Sequence, residues 1–269
     1  MSFTDKKLNE VYKDILHTDN SNTGISTTNK TIACGDGDTT ALQLSNQRVA
    51  VYPAVDNTTI LRVRDADGNS LLEVDSTNDI VKAGIGRHTV NTQYAKFAIG
   101  YTEASGFVDD THQAIPYDSA NYGLLGSSIP AFGTGTDPAT TFTTAEGNAT
   151  RASDLVPVMW LVPDNIAIDA VYSLEGADAA TGDTTRMHLF SYTFNSGSTS
   201  ALTSGTLLAH NHGGDEVGVA NAGSEQAYKT TWTVDSADVA ANRVILAFFK
   251  SDSINSDYSV SIIVKYHLR

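Results

Sequence analysis

The 269 residues contain a single cysteine, Cys34. A lone thiol excludes an intramolecular disulfide and any zinc site built from several cysteines, so stability has to come from packing, another kind of metal site or association. Positive charge is also scarce. Against 31 Asp and Glu there are 17 Lys and Arg, which gives a formal net charge of −14. An acidic surface repels phosphate backbones, and no nucleic-acid partner is expected. Long apolar runs are missing too: the most apolar window, residues 155–163, contains two prolines and falls far short of the roughly 20 residues a membrane helix needs. No membrane span is expected. The opening Met-Ser-Phe-Thr-Asp-Lys-Lys is polar and has no signal-peptide core behind it, so no export signal is expected.

Catalytic signatures are equally thin. There is no Gly-x-Ser-x-Gly elbow and no Gly-Lys-Ser/Thr phosphate loop. Cys34 sits beside Gly35-Asp36, without a positive neighbour to lower its pKa. A glycosidase needs a facing carboxylate pair, and with 31 acids some pair arises by chance. Asp169 and Glu175 fall on the polar face of a strand, where solvation is their ordinary state. The expectation is a non-enzymatic protein with no catalytic residues, cofactor or metal assigned.

What the sequence does contain is polar filler: 32 Thr, 24 Ser and 21 Gly. Thr favours strands, Ser and Gly favour turns, and the fold class expected is mainly β. The exception is residues 1–18, where Phe3, Leu8, Val11, Tyr12, Ile15 and Leu16 recur at helical spacing and Ser2 or Thr4 could cap the start. This predicts a short N-terminal helix, marginal alone, that attaches the chain to a partner or trimerises it. Residues 18–31 read as an extended polar connector.

Residues 33–86 alternate very short strands (41–44, 48–53, 59–64, 70–74 and 80–83) with turns such as Asp67-Gly68-Asn69. Leu61-Arg-Val-Arg-Asp65 and Leu72-Glu-Val-Asp75 form a weak repeat. A module of about 55 residues with so few apolar side chains is marginal as a monomer. Interlacing with copies of itself would bury its faces and edges. The connector and stem therefore span 19–90, with Leu61, Val63, Leu72, Val74 and Ile80 as the expected trimer core.

Residues 91–269 read as a C-terminal antiparallel jelly-roll-like β-sandwich. Strands are expected at 94–101, 155–161, 166–175, 186–193, 207–210, 228–234, 243–250 and 258–268. Ile166, Ile168, Ala170, Tyr172 and Leu174 should share one face, opposite Asp169, Ser173 and Glu175. The loop 102–154 is long for a compact domain and reads as a binding loop or an interface arm.

Two stretches offer metal ligands. Asp65-Ala-Asp67-Gly68-Asn69 begins like a calcium loop, but Gly and Glu are missing from the positions a calcium loop requires, and a hairpin turn is the better reading. His210-Asn-His212-Gly-Gly-Asp215-Glu216 carries suitable donors on a flexible tip, where a solvated loop is the ordinary reading. His188, Phe190, Tyr192 and Phe194 alternate on one strand; core packing explains them better than a sugar-binding platform.

Residues 12–16 with 18–25, the run Leu71-Leu-Glu-Val-Asp-Ser-Thr-Asn-Asp-Ile-Val-Lys82, and residues 176–187 and 256–269 resemble the structural proteins of marine tailed bacteriophages. That resemblance implies a virion protein assembled in the host cytoplasm, attached to other virion proteins of capsid or tail through its N-terminus. The expectation is a homotrimeric fibre or head/tail appendage whose β-sandwich head contacts a host-surface glycan or receptor. A capsid decoration (cement) protein and a glycan-processing tailspike remain as alternatives. No catalytic residues follow from the resemblance.

Overall fold

The structure, a computed structural model of one chain, describes residues 16–18, 25–34, 38–100, 108, 110–118, 129–145, 151–177, 185–212, 226–251 and 258–269. The chain divides into two compact units, residues 1–90 and 91–269.

In the first unit the short strands pair with their sequence neighbours, which gives two four-stranded antiparallel meanders. One comprises β1 (His17–Thr18), β2 (Lys30–Ala33), β3 (Thr39–Leu44) and β4 (Val49–Val51). The other comprises β5 (Leu61–Arg64), β6 (Ser70–Asp75), β7 (Ile80–Ala83) and β8 (His88–Thr89). Asp65-Ala-Asp67-Gly68-Asn69 is the β5–β6 turn: Gly68 takes φ +86°, and Asp65 Oδ1 accepts the Asn69 amide at 2.8 Å. The expected helix over 1–18 does not reach its predicted end. Residues 1–15 lie outside the described residues, Leu16 is exposed, and His17–Thr18 pair antiparallel with Ile32 and Ala33. His17 Nε2 lies 3.2 Å from the Cys34 carbonyl oxygen, so ladder contacts take these two residues out of any helix.

The second unit is a jelly roll. Its eight main strands in chain order are β9 (Thr92–Gly100), β10 (Gln113–Ile115), β12 (Ile166–Ala177), β13 (Thr185–Phe194), β14 (Leu202–His210), β15 (Gln226–Thr231), β18 (Arg243–Ser251) and β19 (Tyr258–Leu268). They form two antiparallel sheets with the orders β9-β19-β12-β15 and β10-β18-β13-β14. Counted as strands one to eight, these orders are 1-8-3-6 and 2-7-4-5, so every connection except the β13–β14 pairing crosses from one sheet to the other. That is the double Greek-key wrap. Short strands β11 (Trp160–Val162), β16 (Thr233–Val234) and β17 (Asp238–Val239) extend the sheets.

Two hydrophobic clusters build this unit. Phe97, Ile168, Val171, Leu189, Ile245, Ala247, Phe249 and Ile262 meet between the sheets. Phe190, Tyr192, Val244, Leu246 and Phe248 point away from the sandwich, and Phe132, Phe142, Leu155 and Val158 cover them. Strand β18 is therefore buried on both faces, which is why its sequence is continuously apolar. The stretch 102–154, expected as one long loop, contains strand β10, and in its described residues 129–145 Phe132 and Phe142 lid the outer face of the sheet.

Three strand expectations change. Residues 155–161 are mostly not a strand, because a helical turn (Ala152–Leu155) and a 3-10 turn (Val156–Val158) precede β11. Pro157 has no N–H to give a ladder. The expected strand 228–234 breaks at Trp232, with β15 in one sheet and β16 in the other. In β12 a register shift between Ile168 and Ala170 exchanges the two faces. Beyond it Val171, Ser173 and Glu175 are buried while Leu174 is exposed, the reverse of the expected alternation.

Candidate functional site

The predicted attachment-helix residues Phe3, Leu8, Val11, Tyr12 and Ile15 lie outside the described residues. Of the predicted stem core, the β5–β8 meander brings four together. Register pairs Leu61 with Val74 and Val63 with Leu72, so these side chains share one face. Val81, opposite Val74, joins them. Ile80 does not: it lies opposite Asp75, on the other face. The apolar face is open, with Leu61, Val63 and Val81 exposed by 39%, 46% and 38%.

Its reverse side is ionic. Glu73 accepts from Arg62 Nε at 2.9 Å and from Arg62 Nη2 at 2.6 Å, and it also pairs with Arg87. Lys82 Nζ lies 3.1 Å from Asp75 Oδ2 and 4.0 Å from Glu73 Oε1. Both carboxylates are almost fully covered by these cations. Loss of hydration alone would raise the Glu73 pKa, but the hydrogen bonds and charges of Arg62 and Arg87 prevail and hold it below the ordinary carboxylate range.

The second unit carries a chemically denser site, a histidine cluster at the ends of β13 and β14. His188 on β13 stands opposite His210 on β14. Like Phe190 and Tyr192, it projects to the outer face, where the rings of His112, His212 and Phe190 stand beside it. Its Nε2 lies 2.7 Å from Nε2 of His212 and 3.3 Å from Asp137 Oδ1. His112, just before β10, sets its ring 4.9 Å from that of His188, and the His210 and His212 rings are 4.8 Å apart.

Backbone pairing fixes each member. The His112 amide donates to the Gly133 carbonyl and its carbonyl accepts from Phe132, which ties the lid segment bearing Asp137 to the sheet. His210 Nδ1 donates to Asp235 at 2.8 Å. Asn211 turns inward to accept the Met187 amide at 2.8 Å, and the chain then presents His212 outward again. His112 and His188 are fully buried. Neither nitrogen of His112, nor Nδ1 of His188, has a hydrogen-bond partner. Burial, followed by the Lys250 charge, lowers the His112 pKa to about 4. Burial and then the neighbouring imidazoles push His188 lower still. Both are neutral imidazoles with nitrogen lone pairs available. Lys250 is itself occupied, 2.7 Å from Asp110 and bonded to the carbonyls of Thr134 and Gly135.

Sequence reasoning singled out His210 and His212 as ligand types and placed His188 in a core-packing row, but did not bring His188, His112 and Asp137 to the cluster. The available signal was His188 itself, a titratable ring in a row otherwise filled by Phe and Tyr. Asp215 and Glu216, the acids of the same motif, lie outside the described residues.

Glu175 is not on a solvated face. It is buried and accepts the Ser173 hydroxyl at 2.5 Å, while Ser173 Oγ accepts the Trp232 indole N–H at 2.8 Å. Burial raises its pKa despite these bonds. Asp169, the other acid assigned to that face, lies 2.9 Å from His267 Nδ1. No facing carboxylate pair results.

The class defined by this architecture is an antiparallel jelly-roll β-sandwich accompanied by a unit of short β-meanders. No known protein-family pattern matches the sequence, and comparison with curated proteins gives no match. Among solved structures, an aminopeptidase from the marine sediment archaeon Thaumarchaeota archaeon aligns over 74% of this chain and 40% of its own, at 9% identity and a TM-score of 0.31. The chain therefore spans two fifths of that protein's length. The structure of infectious bursal disease virus Gt strain aligns over 80% of this chain and 74% of its own, at 10% identity and a TM-score of 0.13. Likenesses this slight carry no argument.

Proposed function

We propose that this chain is a non-enzymatic bacteriophage virion structural protein: a homotrimeric fibre or head/tail appendage. Its N-terminus attaches to other virion proteins, its short-stranded unit assembles with two copies of itself, and its jelly roll is presented to the host surface. The observation that carries this reading is the first unit's lack of a core. Both hydrophobic clusters consist of residues from the second unit. Among the described residues of the first, the only buried hydrophobics are Ile32 and Ala33. A four-stranded sheet with one ionic face and one bare apolar face does not hold itself together in water, because sheets need a covered face. Copies of the same strand set supply that cover with matching register and without a second gene product.

The test is the mass of the full chain in solution by light scattering, compared with Val63→Asp/Leu72→Asp. We expect three chains of 28.6 kDa for the unaltered protein and loss of the assembly in the double variant. A monomer at all concentrations would overturn self-assembly and leave a decoration protein, ordered by the shell it coats, as the better reading.

A further inference from the structure

We propose that Asp137, His188 and His212 form a binding site for one divalent transition-metal ion of the zinc class, which fastens the lid segment and the end of β14 to the outer face of the jelly roll. The three donor atoms all lie within 4.8 Å of one another and come from three separate parts of the chain. His188 is held in the centre of a sheet, Asp137 sits on the lid that covers the second cluster, and His212 lies just past the last residue of β14.

One of the separations already matches a tetrahedral ion. Ligands about 2.05 Å from zinc stand about 3.3 Å apart at the corners of a tetrahedron. The His188–Asp137 separation is 3.3 Å. The His188–His212 separation of 2.7 Å has to open by roughly 0.6 Å on that geometry. His212, at the end of a strand, is placed to make that movement.

Packing does not explain the cluster. The next two outward positions of the strand meet their neighbours as aromatic rings, Phe190 and Tyr192, whereas at His188 a fully buried polar ring stands in their row. Nδ1 of His188 and both nitrogens of the adjacent His112 are buried without a hydrogen-bond partner among the described residues. A cation held through Nε2 of His188 would take the place of the direct contact with His212, 2.7 Å away, and share the Asp137 carboxylate that already stands 3.3 Å from that nitrogen. Two imidazoles and one carboxylate select zinc, nickel or cobalt over calcium or magnesium, which want all-oxygen sites. Three protein ligands leave a position for water. Among the described residues, Lys250 and Arg186 bring positive charge to the cluster, and Lys250 is neutralised by Asp110 at 2.7 Å. This inference is independent of the oligomeric state.

The test uses the untagged full chain, stripped with chelator and titrated with cobalt(II) and with zinc. The expected result is one ion per chain, the intense visible absorption of four-coordinate cobalt, and a melting temperature about 5 °C higher at a hundredfold excess of zinc over its Kd. Asp137→Asn and His212→Ala, both at accessible positions, should weaken binding at least tenfold while leaving the circular dichroism of the metal-free protein unchanged. His267→Asn, which removes a histidine outside the cluster, should bind as the parent does. If no stoichiometric ion binds, or if both cluster variants bind cobalt like the parent, the proposal fails and the cluster is a hydrogen-bonded histidine group only.

Discussion

At the scale of single residues, three buried carboxyl groups set opposite dependences on pH. In Asp75 the Asn78 amide lowers the pKa most, burial works against it, and Lys82 adds to the lowering. Glu73 is lowered through Arg62 and Arg87 despite its loss of hydration. Groups depressed in the folded state contribute stability above their unfolded values, about 4, and lose it as pH falls through the folded ones. The protection factors of the β5–β7 amides, taken against the intrinsic exchange rate at each pH, should therefore fall in acid, and Glu73→Gln should blunt that response while weakening the unit at neutral pH. Glu175 has the opposite sign. Its pKa is raised by burial, so the native state keeps a proton that the unfolded chain releases, and stability declines as pH climbs from about 4.3. Glu175→Gln keeps an acceptor for Ser173 and removes the ionisation. A higher melting temperature at neutral pH is expected, and an unchanged one would show that the ionised carboxylate costs nothing there.

At the scale of elements, the two-faced burial of β18 is the feature on which the second unit depends. Its inner residues close the sandwich, and its outer ones need the lid carried by residues 129–145. Phe132, fully buried against Phe142, Tyr192 and Phe248, is the lid's main anchor. Phe132→Ala should cost about 3–5 kcal/mol, read as a lower denaturant midpoint with the same m-value. Tyr192→Phe removes only the hydroxyl's 2.9 Å bond to the Ala139 carbonyl and should cost about 1 kcal/mol. Equal losses in the two variants would mean that the lid is held by that one hydrogen bond rather than by its rings. The β12 irregularity works at the same scale. One shift in pairing sends Leu174 to solvent and Glu175 inward, which strict alternation cannot express.

For the whole molecule, the division into residues 1–90 and 91–269 separates a unit with two hydrophobic clusters from one with none among its described residues. Calorimetry should resolve two transitions. The one belonging to the first unit should depend on protein concentration, since assembly stabilises only what assembles. The truncated chain 91–269 should keep the second transition within a few degrees and lose the first. A single concentration-independent transition for the full chain would contradict the assembly reading.

The sequence by itself determined the β class, the positions of most of the long strands in the C-terminal unit and the poverty of the N-terminal one. All three rest on local quantities: turn residues at Asp67-Gly68-Asn69, alternation through β19, and a count of aliphatic side chains. Tertiary structure alone decided which faces are inside. The β12 shift, the break at Trp232 and the placement of Val81 rather than Ile80 beside Val74 are matters of pairing partner and register, to which composition and periodicity are blind. The histidine cluster belongs to the same category. His112, Asp137, His188 and His212 are separated by up to a hundred residues, and only the wrapping of the jelly roll, with its lid folded over the outer face, brings their side chains together.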